Sequence, residues 1–241
     1  MPDAGPRRGP IERSPPARPR CCRLSLREGP RAGRPVSPSA VVTGGSGGIG
    51  SEVTSQLREK GWQVTSLSRR EGCDVSDEVQ VAKAFARLDS LDTLVHCAAE
   101  LIKRPFAELT ADEWDVQLGA GLRGAFLCAR EAFRLMRGRG GTIVMVSSLS
   151  GVFGAEKFPG MAAYVAAKSG LAGLTEALAV EGRPLGIRVN AISPGSVDTP
   201  MLRIAGVEGP ALEPAAVARL IVWLASPESS PLSGANLRMD P

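Results

Sequence analysis

The sequence predicts an α/β fold, a single domain built on a doubly wound parallel sheet with helices on both faces. Three observations predict it. From residue 39 onward, short apolar runs of strand length alternate with helix-length segments, and that alternation requires a parallel sheet covered on both sides. A glycine cluster, Gly44-Gly45-Ser46-Gly47-Gly48-Ile49-Gly50, closes the first run and opens the first helix. The chain has 241 residues, 43% of them hydrophobic, enough for one such domain and its core.

Residues 39–43 read as a short buried strand, 44–50 as the glycine turn and 49–60 as a helix. Residues 63–68 form a second strand. After Asp74-Val75-Ser76-Asp77 a helix covers 78–87, with acids at its start. A strand at 93–97 precedes a long helical region at 111–137. The run Thr142-Ile143-Val144-Met145-Val146 is a buried strand ending in two hydroxyls, Ser147 and Ser148. Residues 162–181 read as a helix, 188–193 as a strand, 214–225 as a helix and 235–239 as a last short strand.

Residues 1–38 differ from this body, residues 39–241. They hold nine arginines, three acids, no lysine and nine of the 19 prolines. The positive charge of the chain therefore belongs to this tail and does not argue for a nucleic-acid-binding domain. The tail lacks the 7–15-residue apolar stretch of a secretory signal, and so much proline suits an amphipathic transit helix poorly. It reads as a disordered extension or, equally, as upstream read-through with translation starting near Val36. No apolar run approaches the ~18 residues of a membrane helix. Neither a membrane nor a nucleic acid is expected as a partner. Five cysteines, Cys21, Cys22, Cys73, Cys97 and Cys128, form no C-x-x-C, and His96 is the sole histidine. Neither a zinc site nor a Ser-His-Asp triad has support, so no metal is expected. Reduced thiols and a cytoplasmic location are the expectation.

The chemistry concentrates on one tyrosine. Tyr164 is the sole tyrosine, and Lys168 follows one helical turn later on the same face. An ammonium beside a phenol favours the phenolate, and a phenol tuned that way exchanges protons near neutral pH. The glycine turn, placed between a strand and a helix start, offers a pyrophosphate close backbone approach and a helix N-terminus.

Thr43-Gly44-x-x-x-Gly48-x-Gly50, Ser148, Tyr164-x-x-x-Lys168 and Asn190-x-x-x-Pro194-Gly195 fall in one order and spacing. In them residues 39–241 resemble the classical short-chain dehydrogenase/reductase family, most nearly its 3-oxoacyl-acyl-carrier-protein reductase-type ketoreductases. The resemblance implies a single Rossmann-like domain with a seven-stranded sheet, a nicotinamide cofactor and a homotetramer or homodimer. It implies that Tyr164 is the general acid in reduction and the base in oxidation. Lys168 would lower the tyrosine pKa and hold the nicotinamide ribose, and Ser148 would orient the substrate oxygen. Ser147 is read as structural. Thr43, Gly44, Ser46, Gly48, Ile49 and Gly50 would hold the pyrophosphate. Asp74 and Val75 would border the adenine, with Ala98 beside the cofactor. Pro194, Gly195, Val197 and Thr199 would contact the nicotinamide carboxamide and phosphates.

The second strand ends at Ser68-Arg69-Arg70. An NAD enzyme usually places an acid there for the ribose 2′-hydroxyl, whereas a hydroxyl and an arginine suit a 2′-phosphate. NADP(H) is therefore the expected cofactor, with NAD(H) as the second choice.

Three departures stand out. His96-Cys97-Ala98-Ala99 replaces the family's Asn-Asn-Ala-Gly, and His96 reads as a structural residue at a strand end. Gly121 stands where the family has a catalytic asparagine; a glycine can keep the helix kink there but has no side chain to bind a water. The segments between Arg70 and Asp74 and after Thr199 are both short, leaving an open cleft. The expected activity is hydride transfer between the nicotinamide and a ketone or secondary alcohol, including a carrier-bound acyl chain. The alternative is a dinucleotide-binding scaffold or sensor with little turnover.

Overall fold

The computed structural model describes residues 37–241. The tail expected at 1–38 lies, but for its last two residues, outside the described residues, as do Cys21 and Cys22.

Six strands, β1 (Ser39–Thr43), β2 (Gln63–Leu67), β3 (Thr93–His96), β4 (Gly141–Val146), β5 (Ile187–Pro194) and β6 (Asn236–Met239), form one sheet. All pairs are parallel, in the order β2-β1-β3-β4-β5-β6. Successive strand residues face opposite sides. Val41, Leu94, Ile143, Met145 and Val189 therefore fill one core, and Ala40, Val42, Val95, Val144 and Ile192 the other. The first core is covered by α2 (Glu78–Phe85), α4 (Gly124–Met136) and α5 (Ala162–Gly182), through Phe85, Leu127, Met136 and Leu171. The second is covered by α1 (Gly48–Glu59) and α7 (Pro214–Ala225), through Val53, Leu57, Ile221 and Leu224.

Local chemistry fixes the helix starts. Asp77 caps α2 by accepting from the Val79 and Gln80 amides. Thr110 opens α3 (Ala111–Leu118) with a capping box, its hydroxyl on the Glu113 amide and the Glu113 carboxylate on its own. Pro214 occupies the first turn of α7, where its missing N–H costs nothing. The C-terminal end of α7 is closed from outside. The Arg188 guanidinium on β5 donates to the carbonyls of Leu224, Ser226, Ser229 and Leu232 and to the hydroxyls of Thr142 and Ser229, at 2.9–3.2 Å.

Three differences from the sequence expectations bear on the site. The described sheet has six strands, not seven. Beyond β2 the chain makes one 3-10 turn, Arg69–Glu71, and passes straight to Asp74, too short a path for a further strand, so β2 is an edge of the described sheet. The helical region at 111–137 is two helices, α3 and α4, joined by a π-turn at Gly119–Arg123. After Thr199 there is a six-residue helix, α6 (Pro200–Ala205), ended by Gly206 at φ +58°.

Candidate active site

The C-terminal ends of the parallel strands open on one cleft of ≈ 1960 Å³. That exceeds the roughly 300–1,000 Å³ of a single small-molecule site, leaving room for an extended ligand with a second molecule beside it. The strand order reverses between β1 and β3, where an open α/β sheet presents its ligand crevice.

The glycine turn forms the floor. Gly44 has φ +66°, and a Cβ there would lie 2.9 Å from the Ala98 nitrogen. A Cβ on Gly50 would lie 2.3 Å from the Gly44 carbonyl oxygen, so α1 packs directly on the turn. Ser46, Gly48 and Ile49 line the same wall. Among the described residues, no side chain caps the first N–H groups of α1. Free donors at a helix start facing a cleft suit a pyrophosphate, so these residues fit the nucleotide implied by the fold.

Ser68, Arg69, Asp74 and Val75 line one flank of the cleft, and Pro194, Gly195, Val197 and Thr199 the other. The Asp74 carboxylate accepts from the amide and hydroxyl of Ser76 at 2.9 and 2.7 Å. The Gly195 amide is held by the Met239 carbonyl at 2.8 Å, which ties this segment to β6. Ala98, Ser148, Tyr164 and Lys168 complete the lining among the residues expected here. Thr43 alone is placed beneath the cleft, fully buried.

Thr43 serves His96. The ring is buried, with Nε2 3.1 Å from the Gly121 carbonyl oxygen and Nδ1 2.9 Å from the Thr43 hydroxyl. A carbonyl only accepts, so Nε2 carries the proton and Nδ1 accepts from Thr43. The Thr43 oxygen accepts in turn from the Ala98 amide at 3.2 Å. Burial, reinforced by the Lys168 charge, pushes the His96 pKa down to about 3. His96 is thus a neutral brace between β1, β3 and the π-turn, in keeping with a structural part. Gly121 is packed as well: a Cβ there would lie 3.3 Å from the Ala167 Cβ on α5.

Tyr164 and Lys168 face the cleft from α5, opposite Ser148 at the end of β4. The Ser148 hydroxyl accepts from the Ser150 amide at 3.2 Å. Ser147 is buried and donates to the Lys168 carbonyl at 2.8 Å, which clamps α5 to β4. Lys168 is 3% exposed; its Nζ donates to the Val146 carbonyl at 2.6 Å and lies 5.6 Å from the centroid of the Tyr164 ring. Burial lowers the Lys168 pKa to about 8. In this geometry the Tyr164 phenol pKa lies above its ordinary value. Burial raises it, and the Ser148 side chain offsets only part of that rise. The ammonium is engaged by a backbone carbonyl instead.

Two acids escaped the sequence reading. Glu71 accepts from the Ser66 and Ser68 hydroxyls at 2.7 and 2.6 Å, and Glu100 pairs with Arg69. A signal for the first was present, since Ser68-x-x-Glu71 has the spacing of a capping box. Nothing in the linear order pointed to the second.

Fold and cleft together define a Rossmann-like α/β protein with a tyrosine, a lysine and a serine facing a glycine-turn nucleotide site. The chain belongs to the short-chain dehydrogenase/reductase family. Residues 67–241 match the family model described as enoyl-(acyl carrier protein) reductase. The chain is 39% identical over 168 residues to trans-4-hydroxycyclohexanecarboxylate dehydrogenase of Sinomonas cyclohexanicum, covering 66% of this chain and 63% of that protein. It therefore spans just under two thirds of that relative's length. It is 32% identical over 239 residues to acetoacetyl-CoA reductase of Shinella zoogloeoides, covering 84% and 96% of the two chains. The ligand-free structure of Thermoplasma acidophilum aldohexose dehydrogenase superposes with a TM-score of 0.78 at 26% identity, over 85% of this chain and 92% of that one.

Proposed function

We propose that the protein is an NADP(H)-dependent oxidoreductase that interconverts a ketone and a secondary alcohol. The observation that carries this is the convergence of Ser148, Tyr164 and Lys168 on the cleft that also holds the glycine turn. When bound, the nicotinamide supplies or accepts the hydride. The residues of the chain do the rest. The Ser148 hydroxyl donates to the substrate oxygen and orients it. The Tyr164 hydroxyl gives its proton to that oxygen in reduction and takes it back in oxidation. With its pKa near 8, Lys168 carries charge at neutral pH, and turning its ammonium from Val146 toward the phenol would favour the phenolate. Arg69 and Ser68 would hold a 2′-phosphate.

Beside Tyr164, Leu101, Phe158, Met161, Met201 and Val207 form an apolar cluster on the cleft. It suits a substrate with a hydrocarbon body, a carrier-bound acyl chain among them. A homodimer or homotetramer is part of the same reading, on the family membership. The free cysteines Cys73, Cys97 and Cys128 support a cytoplasmic location. A second reading, a nucleotide-binding sensor with little turnover, is favoured by Gly121, which offers no side chain for a proton relay.

The test is NADPH oxidation measured against a panel of cyclic ketones, β-ketoesters and β-ketoacyl thioesters. Turnover of one class supports the enzyme. Tight NADPH binding with no turnover on any of them supports the sensor.

A further inference from the structure

The donors assigned to the 2′-phosphate are already engaged. The Ser68 hydroxyl donates to Glu71 Oε2 at 2.6 Å, and the Arg69 guanidinium donates to the Glu100 carboxylate. The topology explains how residues 31 positions apart meet. Arg69 lies just beyond β2 and Glu100 just beyond β3, and β1 runs between those two strands. The Gly44 amide is bonded to the Leu67 carbonyl at 2.8 Å on one side, and Gly44 lies against Ala98 on the other. The ion pair therefore joins the two flanks of the glycine turn, and both of its members line the cleft.

The pair is open to water, with side-chain exposures of 65% for Arg69 and 28% for Glu100. An exposed ion pair is weak, so a stronger anion can break it. A 2′-phosphate brings about 1.5–2 negative charges and three acceptor oxygens. It would take Arg69, and Glu100 would be left unpaired beside it. A 2′-hydroxyl has no claim on Arg69 and would leave the pair intact.

We infer that Glu100 sets the cofactor preference of this site, by competing with the 2′-phosphate for Arg69 and so narrowing the advantage of NADP(H) over NAD(H). The inference rests on the NADP(H) reading above. Glu100 acts here on nucleotide choice and takes no part in proton transfer.

The test is the dissociation constant of NADPH and of NADH, measured by fluorescence titration for wild type, Glu100→Gln, Arg69→Ala and the double variant. Adenosine 2′,5′-bisphosphate and 5′-AMP serve as probes that lack the nicotinamide. Glu100→Gln should tighten NADPH and the bisphosphate about threefold to tenfold, the scale of an exposed ion pair with the repulsion it leaves behind. NADH and 5′-AMP should stay within about twofold. The gain should shrink to near nothing when Arg69 is already alanine, because the competition then has no object. An unchanged ratio of NADPH to NADH affinity in Glu100→Gln overturns the inference. So does an equal weakening of both nucleotides, which would make the pair a clasp over any cofactor. If wild type binds neither nucleotide nor either adenosine probe, the proposed function fails, and this inference with it. Binding of both nucleotides with an insensitive ratio removes this inference alone.

Discussion

His96 and Gly121 are joined in the buried interior, ring Nε2 to carbonyl oxygen at 3.1 Å. The bond holds the π-turn between α3 and α4 to the end of β3. Burial keeps the ring neutral, and in that form Nδ1 accepts from Thr43 while Nε2 donates.

The His96 ring should stay neutral well below the usual histidine range. Its folded pKa of about 3 lies below the ~6.5 of an unfolded histidine. Between these values the unfolded chain binds the extra proton, so stability is lost as pH falls from 6.5 toward 3. The loss from this group should reach about 2 kcal/mol at pH 5. As the only histidine, its imidazole resonances are unambiguous in NMR. They should not titrate between pH 7.5 and 5, and a midpoint near 6.5 would contradict the buried brace.

Gly121→Asn should not restore a relay. A side chain at 121 would push a Cβ against that of Ala167, 3.3 Å away on the helix that carries Lys168. Overpacking there should cost about 1–3 kcal/mol, visible as a lower Tm, with no rise in kcat. A rate gain of about tenfold at unchanged Tm would show that the missing amide, and not packing, limits the site.

Tyr164→Phe keeps the ring and removes the hydroxyl. Turnover should fall by at least about a thousandfold, the middle of the range for general acid–base catalysis, while the NADPH dissociation constant changes less than about threefold. Retention of a tenth of the wild-type rate would assign the proton transfer elsewhere.

Lys168 should leave a mark on alkaline stability. Its folded pKa of about 8 lies below the ~10.4 of an unfolded lysine. The unfolded chain binds more protons between those values, so this group adds stability as pH rises from 8 toward 10. Raised thiol pKa values at Cys97 and Cys128 pull the other way above pH 9. Comparison with Lys168→Met isolates the lysine. The urea midpoint of wild type should gain on that of the variant between pH 7.5 and 9.5, and parallel curves would refute it.

Arg188→Met should destabilise the fold strongly without touching the cleft. The guanidinium satisfies four carbonyls around the end of α7, and methionine replaces none of those bonds. A loss of at least about 3 kcal/mol in urea unfolding is expected. A loss under about 1 kcal/mol would mean that water takes over those carbonyls.

The sheet was legible because buried parallel strands write themselves as apolar runs. β4, Gly-Thr-Ile-Val-Met-Val, is short, β-branched and preceded by glycine, and Pro214 with the apolar stripe behind it marked α7 to the residue. The site was legible where spacing is local, as with Tyr164 and Lys168 one turn apart. The kink at Gly121 was legible from the family resemblance, but its π form was not, because the Gly-Ala-Gly-Leu-Arg run is compatible with an unbroken helix and the His96 ring that bonds Gly121 comes from another strand. α6 was missed because six residues carry too little periodicity to register. The engagement of Arg69 was missed because Glu100 becomes its neighbour only through the strand order.

The short path from Arg70 to Asp74 has a consequence beyond nucleotide binding. It leaves the outer flank of β2 without a strand partner among the described residues. Unpaired amides and carbonyls along a sheet margin invite pairing with another chain, and natural proteins blunt such margins with brevity and positive charge. Both devices are present. β2 has only five residues, and the Arg58 guanidinium reaches from α1 to the Val64 carbonyl at 3.4 Å. A cationic side chain on the helix thus lies on the margin that no described strand covers.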